Sequence, residues 1–209
     1  MTTVFDRRRL LIGGAAFAAP LGISAPLKAA ATVSAATPYE RKVLEVAAQQ
    51  RSRVSSQLWR TNVVGIADFA RPSWEPRMHM VNLEDGTIQS YLLTHGRGSD
   101  REHDGWLKAF SQEPGSNATS RGAYLTCEWY KGKYGTSMRL AGLDPDNRTA
   151  RERLIVVHHA WYAERDMVNK WGKLGRSEGC FALGQQGFSD VLYRLSGGCL
   201  LFADQISTS

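Results

Sequence analysis

The sequence lacks the features that would place it in several non-enzymatic classes. Its 20 glycines and 7 prolines in 209 residues have no collagen-like period and form no low-complexity tract. Hydrophobic residues make up 43% of the chain, too many for a disordered protein. No internal repeat is present, and after residue 31 no segment approaches 18 uninterrupted apolar residues. We therefore expect one folded domain with its own core and no stable membrane span.

The chain also has little excess charge outside its first residues. Lys plus Arg number 26 and Asp plus Glu number 20, which gives a net charge of +6. Residues 1–31 hold four of the basic residues and one of the acidic residues, so the remaining 22 basic and 19 acidic residues leave only +3. A charge so small and so scattered does not indicate a nucleic-acid-binding protein.

Residues 1–31 have the pattern of an export signal. A basic triplet at 7–9 precedes a short apolar run at 10–19 and a small-residue stretch at 29–31. This order is typical of secretory signals, and residues 5–11 resemble the twin-arginine signal of bacteria. We expect cleavage near Ala31, with Ala36 as a later option, and a periplasmic mature protein. An uncleaved N-terminal anchor is the alternative.

Cysteine is scarce, with only Cys127, Cys180 and Cys199 present. In an oxidising compartment an odd number of cysteines leaves at least one thiol unpaired. The sequence permits a disulfide between Cys127 and Cys199. The residues around Cys180 favour a functional role for its free thiol.

The apolar pattern predicts a mainly β fold with flanking helices. Residues 39–58 predict an N-terminal helix with Pro38 in its first turn, and residues around 188–195 predict a second, short helix. Runs broken by Gly, Pro, Asn and Asp predict strands. The predicted strands cover 63–69, 77–83, 87–94, 123–129, 138–140, 153–159 and 200–202. A polar loop at 95–119 is long enough to suggest a functional role.

Cys180 and His158 form the most suggestive pair for chemistry. Cys180 follows Gly179 in a loop, and His158 ends the strongest predicted strand. A histidine on a rigid strand can activate a thiol as general base or as ion-pair partner. The amides of Glu178, Gly179 and Cys180 would then bind a developing oxyanion. No acidic residue near His158 in sequence orients its ring, so we expect a backbone carbonyl, such as that of His159, to do so.

Two other interpretations of these residues stay open. In the first, Cys180 is an inert buried thiol and His158 is a hydrogen-bonded strand-end histidine. The second is a zinc site, which needs three or four converging ligands. His95, His103, His158 and Cys180 would have to supply them, and no metal-spacing motif supports that set. We expect neither a metal nor another cofactor.

Several motifs occur in a fixed order along the chain. They are HGRGS at 95–99, SRGAY at 120–124, YGTSMRLAGL at 134–143, IVVHHAWY at 155–162 and GRSEGCFAL at 175–183. Together they resemble the L,D-transpeptidases of bacterial cell walls, the YkuD-type catalytic domain. The likeness is closest to the branch whose signature reads H-G-A and then G-R-S-x-G-C-P, and it extends over about 65–203.

The resemblance implies a YkuD-like β-sandwich with a catalytic domain at 63–209, preceded by a helical segment at 32–62. It implies Cys180 as nucleophile, His158 as base and the His159 carbonyl as the acceptor that orients the base. The amides of Gly179 and Glu178 would contact the oxyanion. Six further residues are candidates for substrate binding: Arg176, Ser177, Arg139, His95, Ser120 and Tyr124.

The implied reaction is peptidoglycan crosslinking on stem peptides, through a thioester. The acceptor would be the diaminopimelate side chain, giving 3-3 crosslinks, or the L-alanine at position one, giving 1-3 crosslinks. An L,D-carboxypeptidase, an enzyme that attaches a lipoprotein as acceptor, and a non-catalytic wall-binding module are the alternatives. The resemblance also implies acylation of Cys180 by carbapenems.

The chain departs from the family pattern at four positions near the nucleophile. His159 stands where the family often has Gly, and Glu178 replaces the His of the commoner S-H-G-C motif. Phe181 replaces Pro. Ala182 stands where the commoner motif has Arg, so a guanidinium is missing there. We expect Arg176 or Arg139 to supply that charge.

Overall fold

A computed structural model describes residues 36–133 and 135–206. The predicted export signal lies outside these residues. Within the described ranges, no helix has both the length and the apolar character needed to cross a membrane.

Within the same ranges, eight strands form one continuous sheet. The strands are β1 (Val63–Asp68), β2 (Met78–Asn82), β3 (Ile88–Tyr91), β4 (Gly122–Gly132), β5 (Gly135–Gly142), β6 (Val156–His159), β7 (Phe181–Leu183) and β8 (Leu200–Asp204). Their order across the sheet is β3-β2-β1-β8-β4-β5-β6-β7. Two neighbouring pairs are parallel, β1 with β8 and β6 with β7. The last strand along the chain therefore lies inside the sheet, between β1 and β4.

Three α-helices accompany the sheet: α1 (Pro38–Arg53), α2 (Arg165–Trp171) and α3 (Gln185–Arg194). The expected mainly β fold with flanking helices is confirmed. The sequence-based prediction missed α2 and β7. It treated both segments as loop, because Arg165–Trp171 is largely polar and Phe181–Leu183 is only three residues long.

The sheet curls strongly, so that its two halves face each other. Phe69 directly follows β1, and Phe181 lies on β7, five strand steps away. Those steps would separate the two strands by roughly 24 Å in a flat sheet. The ring centroids are instead 6.3 Å apart, which is possible only if the sheet folds over its inner face. The main core fills this fold, and the arrangement is the expected sandwich.

The segment after β3 ties the two edge strands together. The amide of Thr94 donates to the carbonyl of Ala182 on β7 at 3.0 Å. Gly96 then forms a parallel bridge with Ser177. The loop that carries Cys180 is therefore held from the opposite edge of the sheet.

Helix α1 covers the outer face of the sheet at β1, β2 and β8. Thr37 and Glu40 form a capping box at its start, which satisfies free amides of the first turn. Val43 and Ala47 of α1 are fully buried in a second apolar cluster with residues of the three strands. Tyr39 adds a polar anchor, because its hydroxyl donates to Asp68 and lies 2.7 Å from Nε2 of His79.

All three cysteines are free. The disulfide that the sequence permits between Cys127 and Cys199 is not formed.

Candidate active site

The registration of β6 and β7 places Cys180 and His158 on the same face of the sheet. His158 pairs with Ala182 in this parallel pair, and paired residues project to the same side. Cys180 immediately precedes β7, and its side chain lines the same cavity as that of His158. Val157 and Phe181 project the other way and are buried in the main core. Both candidate residues line one cavity of about 470 Å³.

A backbone carbonyl fixes the ring of His158. Nδ1 lies 2.9 Å from the carbonyl oxygen of His159, and a carbonyl can only accept, so Nδ1 carries the proton. In a neutral ring Nε2 is then unprotonated and able to accept a proton. The side chain of His159 lies elsewhere, with Nε2 3.2 Å from a carboxylate oxygen of Glu164.

Burial favours the neutral forms of both residues. It raises the pKa of the Cys180 thiol, although the Val156 amide and the Arg153 guanidinium act in the opposite direction. It lowers the pKa of His158, although the hydrogen bond to His159 opposes the change. Two neutral groups that line one cavity fit a general base better than a resting ion pair. The thiol itself donates to the carbonyl of Leu154 at 3.6 Å.

Ser177 shapes the loop that precedes Cys180. Its hydroxyl donates to the carbonyl of Cys180 at 2.7 Å and accepts from the amide of Gly179 at 3.2 Å. The Gly179 amide, a predicted oxyanion donor, is therefore directed to Ser177 in this structure. Gly179 has φ +111°, and a Cβ there would lie 2.7 Å from the carbonyl oxygen of Ala118. Only glycine fits this close backbone crossing.

Arg153 is a cavity residue that sequence reasoning missed. Its Nη1 donates to the Ser111 carbonyl and the Ser120 hydroxyl, both at 2.8 Å, and its Nη2 donates to the Ala118 carbonyl at 2.6 Å. It precedes β6 and carries no motif of its own, so only the folded chain brings it to the cavity wall.

The cavity wall also contains three of the predicted residues near the nucleophile. Arg176, Ser177 and Glu178 all line it. Glu178 pairs with Arg97 at 3.1 Å on the open rim. Arg176 donates through Nη1 to the carbonyls of Asp100 and Arg101.

The other four predicted substrate-binding residues do not line this cavity. His95 is 1% exposed, and Ser120 and Tyr124 are fully buried. Ser120 accepts from Arg153, and Tyr124 donates to the Ser120 carbonyl. Arg139 pairs with Glu128 at 3.2 Å and lies over the ring of Tyr130. The motifs thus mark the neighbourhood of the site, but several of their side chains point into the protein.

His95 belongs to a buried polar chain behind the cavity. Its Nδ1 lies 2.8 Å from Nη2 of Arg77, and its Nε2 lies 3.1 Å from Oδ2 of Asp100. The guanidinium can only donate, so Nδ1 accepts and Nε2–H donates to the carboxylate. The carbonyl of His95 accepts from the amide of Ser177 at 2.9 Å. The chain therefore supports the nucleophile loop from inside.

The described ranges contain no group of three His, Cys, Asp or Glu side chains arranged to hold a metal ion. His95 and His103, considered above as zinc ligands, have other partners. His95 contacts Arg77 and Asp100, and His103 lies 3.0 Å from the carbonyl of Leu174.

Comparisons with known proteins give a family match and several distant structural matches. A family model, YkuD_2, described as an L,D-transpeptidase catalytic domain, matches residues 35–203. No curated protein matches the chain.

The solved structures similar to this chain include two L,D-transpeptidases and a cell shape determining protein. The L,D-transpeptidase LdtMt1 in complex with imipenem is 13% identical, with a TM-score of 0.42, over 68% of this chain and 59% of that one. L,D-transpeptidase 3 of Mycobacterium tuberculosis is 12% identical, with a TM-score of 0.44, over 69% and 61%. The helical cell shape determining protein Pgp2 of Campylobacter jejuni, as a K307A mutant, is 11% identical, with a TM-score of 0.45, over 80% and 57%. The matches span about three fifths of the length of these proteins.

Proposed function

Because this chain belongs to the L,D-transpeptidase catalytic-domain family, we propose that it is a peptidoglycan L,D-transpeptidase with Cys180 as its nucleophile. The observation that carries the proposal is the placement of Cys180 and His158 on one cavity wall, with Nδ1–H of His158 held by the His159 carbonyl. In this proposal Nε2 of His158 is the base that accepts the proton of the Cys180 thiol.

The proposed acylation step begins from the neutral pair. Nε2 of His158 takes the thiol proton as the sulfur of Cys180 attacks the carbonyl carbon of the diaminopimelate residue of a tetrapeptide donor. The amide bond to the terminal D-alanine breaks. The imidazolium of His158 gives its proton to the leaving amine, and a thioester to Cys180 remains.

Amides near Cys180 stabilise the developing oxyanion in this proposal. The amide of Gly179 is directed to Ser177, so the amides of Glu178 and Cys180 are the better two of the three predicted donors. The Gly179 amide contributes only if substrate displaces this bond.

Deacylation follows when an amine attacks the thioester. His158 accepts a proton from the attacking amine, and the thiol of Cys180 takes a proton back as the new amide forms. A diaminopimelate acceptor gives a 3-3 crosslink, and an L-alanine acceptor gives a 1-3 crosslink. Water in place of the amine gives an L,D-carboxypeptidase, and a lysine of a lipoprotein gives an anchoring enzyme.

We also propose that the enzyme acts in the periplasm. Support comes from the basic triplet and apolar run in residues 1–31, which fit an export signal. We propose that the chain after the export signal has two parts. Residues 32–62 form a helical segment that contributes α1, and residues 63–209 form the catalytic domain.

The test is incubation of the purified protein with disaccharide-tetrapeptides, read by mass spectrometry and fragmentation. We expect release of D-alanine and dimers whose fragments identify the acceptor. Cys180→Ala should abolish turnover, and His158→Gln should lower it at least about 100-fold, because general-base catalysis is typically worth that much. Cys127→Ser, a change at a half-buried thiol outside the cavity, is the matched control and should retain activity.

The same preparation should form a covalent carbapenem adduct, with fragments that place it on Cys180. Tripeptide without dimers would assign the carboxypeptidase reaction. Unchanged turnover in Cys180→Ala would overturn the proposal, and neither turnover nor adduct would favour a non-catalytic wall-binding module.

A further inference from the structure

The cavity around Cys180 carries an excess of positive charge. Arg97, Lys133, Arg153 and Arg176 line it, against Glu178 as the acidic lining residue. Glu178 is already paired with Arg97 at the rim. His158 adds no positive charge, because burial holds its pKa below the usual range. Such a field favours an anionic occupant.

Arg153 is the cation of this group that is set most firmly. All of its three hydrogen bonds go to neutral oxygens, those of Ser111, Ala118 and Ser120. In the part of the chain that the structure describes, no carboxylate lies within ion-pair distance of Arg153. Burial lowers the pKa of this guanidinium. A partly desolvated cation that lacks an anionic partner gains most from a ligand that supplies one.

The position of Arg153 places its charge close to the loop that carries Cys180. Its Nη2 is 3.0 Å from the point that a Cβ on Gly179 would occupy. The next residue, Leu154, accepts the hydrogen bond of the Cys180 thiol. An anion bound to Arg153 therefore lies at the reacting end of a donor peptide, not at a remote part of it.

We propose that Arg153 is a specificity-determining residue that binds a carboxylate of the donor stem next to the bond that Cys180 attacks. This inference rests on the proposed function. Ala182 stands where the commoner family motif has Arg. Arg153 supplies a guanidinium to the cavity from the segment before β6 instead. Arg176, the other cavity arginine without a carboxylate partner in the described residues, adds positive charge to the same cavity.

Two carboxylates of a tetrapeptide donor have this chemistry. One ends the leaving D-alanine, and the other belongs to the diaminopimelate side chain. Both are anions close to the scissile amide, so the cavity charge alone favours either. The experiment uses three synthetic donors: the free acid, the D-alanine carboxamide and the diaminopimelate carboxamide.

We expect the native enzyme to discriminate between these donors. Loss of the carboxylate that Arg153 binds should lower kcat/KM by at least about tenfold, since a charge-assisted pair is replaced by an unpaired, half-buried cation. The carboxamide donor that shows the lower kcat/KM identifies the carboxylate that Arg153 binds. Equal kcat/KM for all three donors would overturn the inference.

Variants of Arg153 test the same point from the protein side. Arg153→Met should lower kcat/KM for the free acid to the level of the discriminated amide, mainly through KM, and should abolish the preference. Arg153→Lys keeps the charge but not the planar fork, so it should retain part of the preference. Arg151→Met is the control, because Arg151 is exposed and pairs with Glu128. It should change neither kcat/KM for the free acid nor the preference between donors.

Three readouts separate this inference from the other causes of failure. Alkylation of Cys180 by iodoacetamide and the thermal midpoint show whether a variant still holds its loop. If Arg153→Met does not fold, the donor comparison on the native enzyme decides alone. Absence of turnover with every donor contradicts the proposed function, whereas turnover without preference contradicts only the role of Arg153.

Discussion

At the scale of single residues, the protonation states of Cys180 and His158 determine how the site works. In the proposed mechanism, the backbone carbonyl of His159 orients the ring of His158, as an acidic residue does in a catalytic triad. A carbonyl adds no negative charge, so it stabilises an imidazolium less than a carboxylate does. This difference agrees with the lowered pKa of His158 and with a resting state in which both groups are neutral.

The neutral pair predicts a specific pH dependence. His158 must be unprotonated to accept the thiol proton, so kcat/KM should fall as pH drops through its pKa, which lies below the ordinary value of about 6.5. Because the pKa of Cys180 is raised, no fall should appear between neutral pH and about pH 9. The measurement is kcat/KM for a tetrapeptide donor against pH. A resting ion pair would instead give an acid limb at the thiol pKa and a loss above the imidazolium pKa.

Sequence motifs singled out the proposed reacting residues, but they did not predict the orientation of the side chains around them. Cys180, His158 and Ser177 could be singled out because their types and order point to thiol chemistry. His95 and Tyr124 lie in equally clear motifs, yet the fold turns both inward. Arg153 is the opposite case, because it carries no motif and yet lines the cavity. Its contacts with residues 111–120, which are distant in sequence, hold it there. The direction of a loop side chain depends on such contacts, and no local pattern encodes it.

At the scale of elements, two glycines allow the loops around the nucleophile to cross. A Cβ on Gly96 would lie 2.8 Å from backbone atoms of Gly179, and a Cβ on Gly179 would approach the Ala118 carbonyl as closely as 2.7 Å. The loops therefore meet backbone to backbone. The amide of Gly96 donates to the hydroxyl of Thr119 at 2.9 Å and fixes the same crossing.

Gly179→Ala should disable the site more than it destabilises the fold. The new methyl group meets a backbone carbonyl and the φ of +111° is unfavourable for alanine, at a cost of roughly 1–3 kcal/mol. The displaced loop should lower turnover at least about 100-fold, since small misplacements of reacting groups cost that much. Turnover and urea unfolding measure the two effects.

Gly115→Ala is the matched control for this change. It has a similar positive φ of +79° but no atom within 4 Å of a new Cβ. It should cost a comparable strain and keep full activity. Equal turnover in the two variants would show that the close crossing at Gly179 is not required.

The elements themselves were predictable where their pattern was long. The β-branched run before His158 gave the strongest strand prediction, and Val156 and Val157 of β6 are buried on opposite sides. Strand β7 has only three residues, and its pairing with β6 depends on chain segments more than twenty residues apart. Helix α2 exposes most of its side chains, so an apolar stripe was not available to reveal it.

At the scale of the whole molecule, buried histidines make the fold sensitive to acid. Burial lowers the pKa of His79 to about 4 and lowers those of His95 and His158 as well. In the unfolded chain each histidine returns to about 6.5. Between these values the unfolded state binds more protons, so the free energy of unfolding must decrease as pH falls.

We expect this decrease to begin as pH falls through about 6.5 and to approach about 1.4 kcal/mol per pH unit for each buried histidine. Urea unfolding at about pH 7, 6 and 5 measures it. His79→Gln should reduce the slope of the free energy of unfolding against pH by the contribution of about one proton, because one titrating group is removed. A free energy of unfolding that stays constant over this range would contradict the burial of neutral histidines.

The central position of β8 has a consequence for how the chain matures. Leu200–Asp204 pairs with β1 on one side and β4 on the other, so it joins the half of the sheet that carries α1 to the half that carries Cys180. A nascent polypeptide interrupted before Leu200 would hold two half-sheets with facing open edges and no strand to bridge them. Such fragments would expose main-chain groups that promote aggregation. The two half-sheets can therefore join only after Leu200–Asp204 has been synthesised.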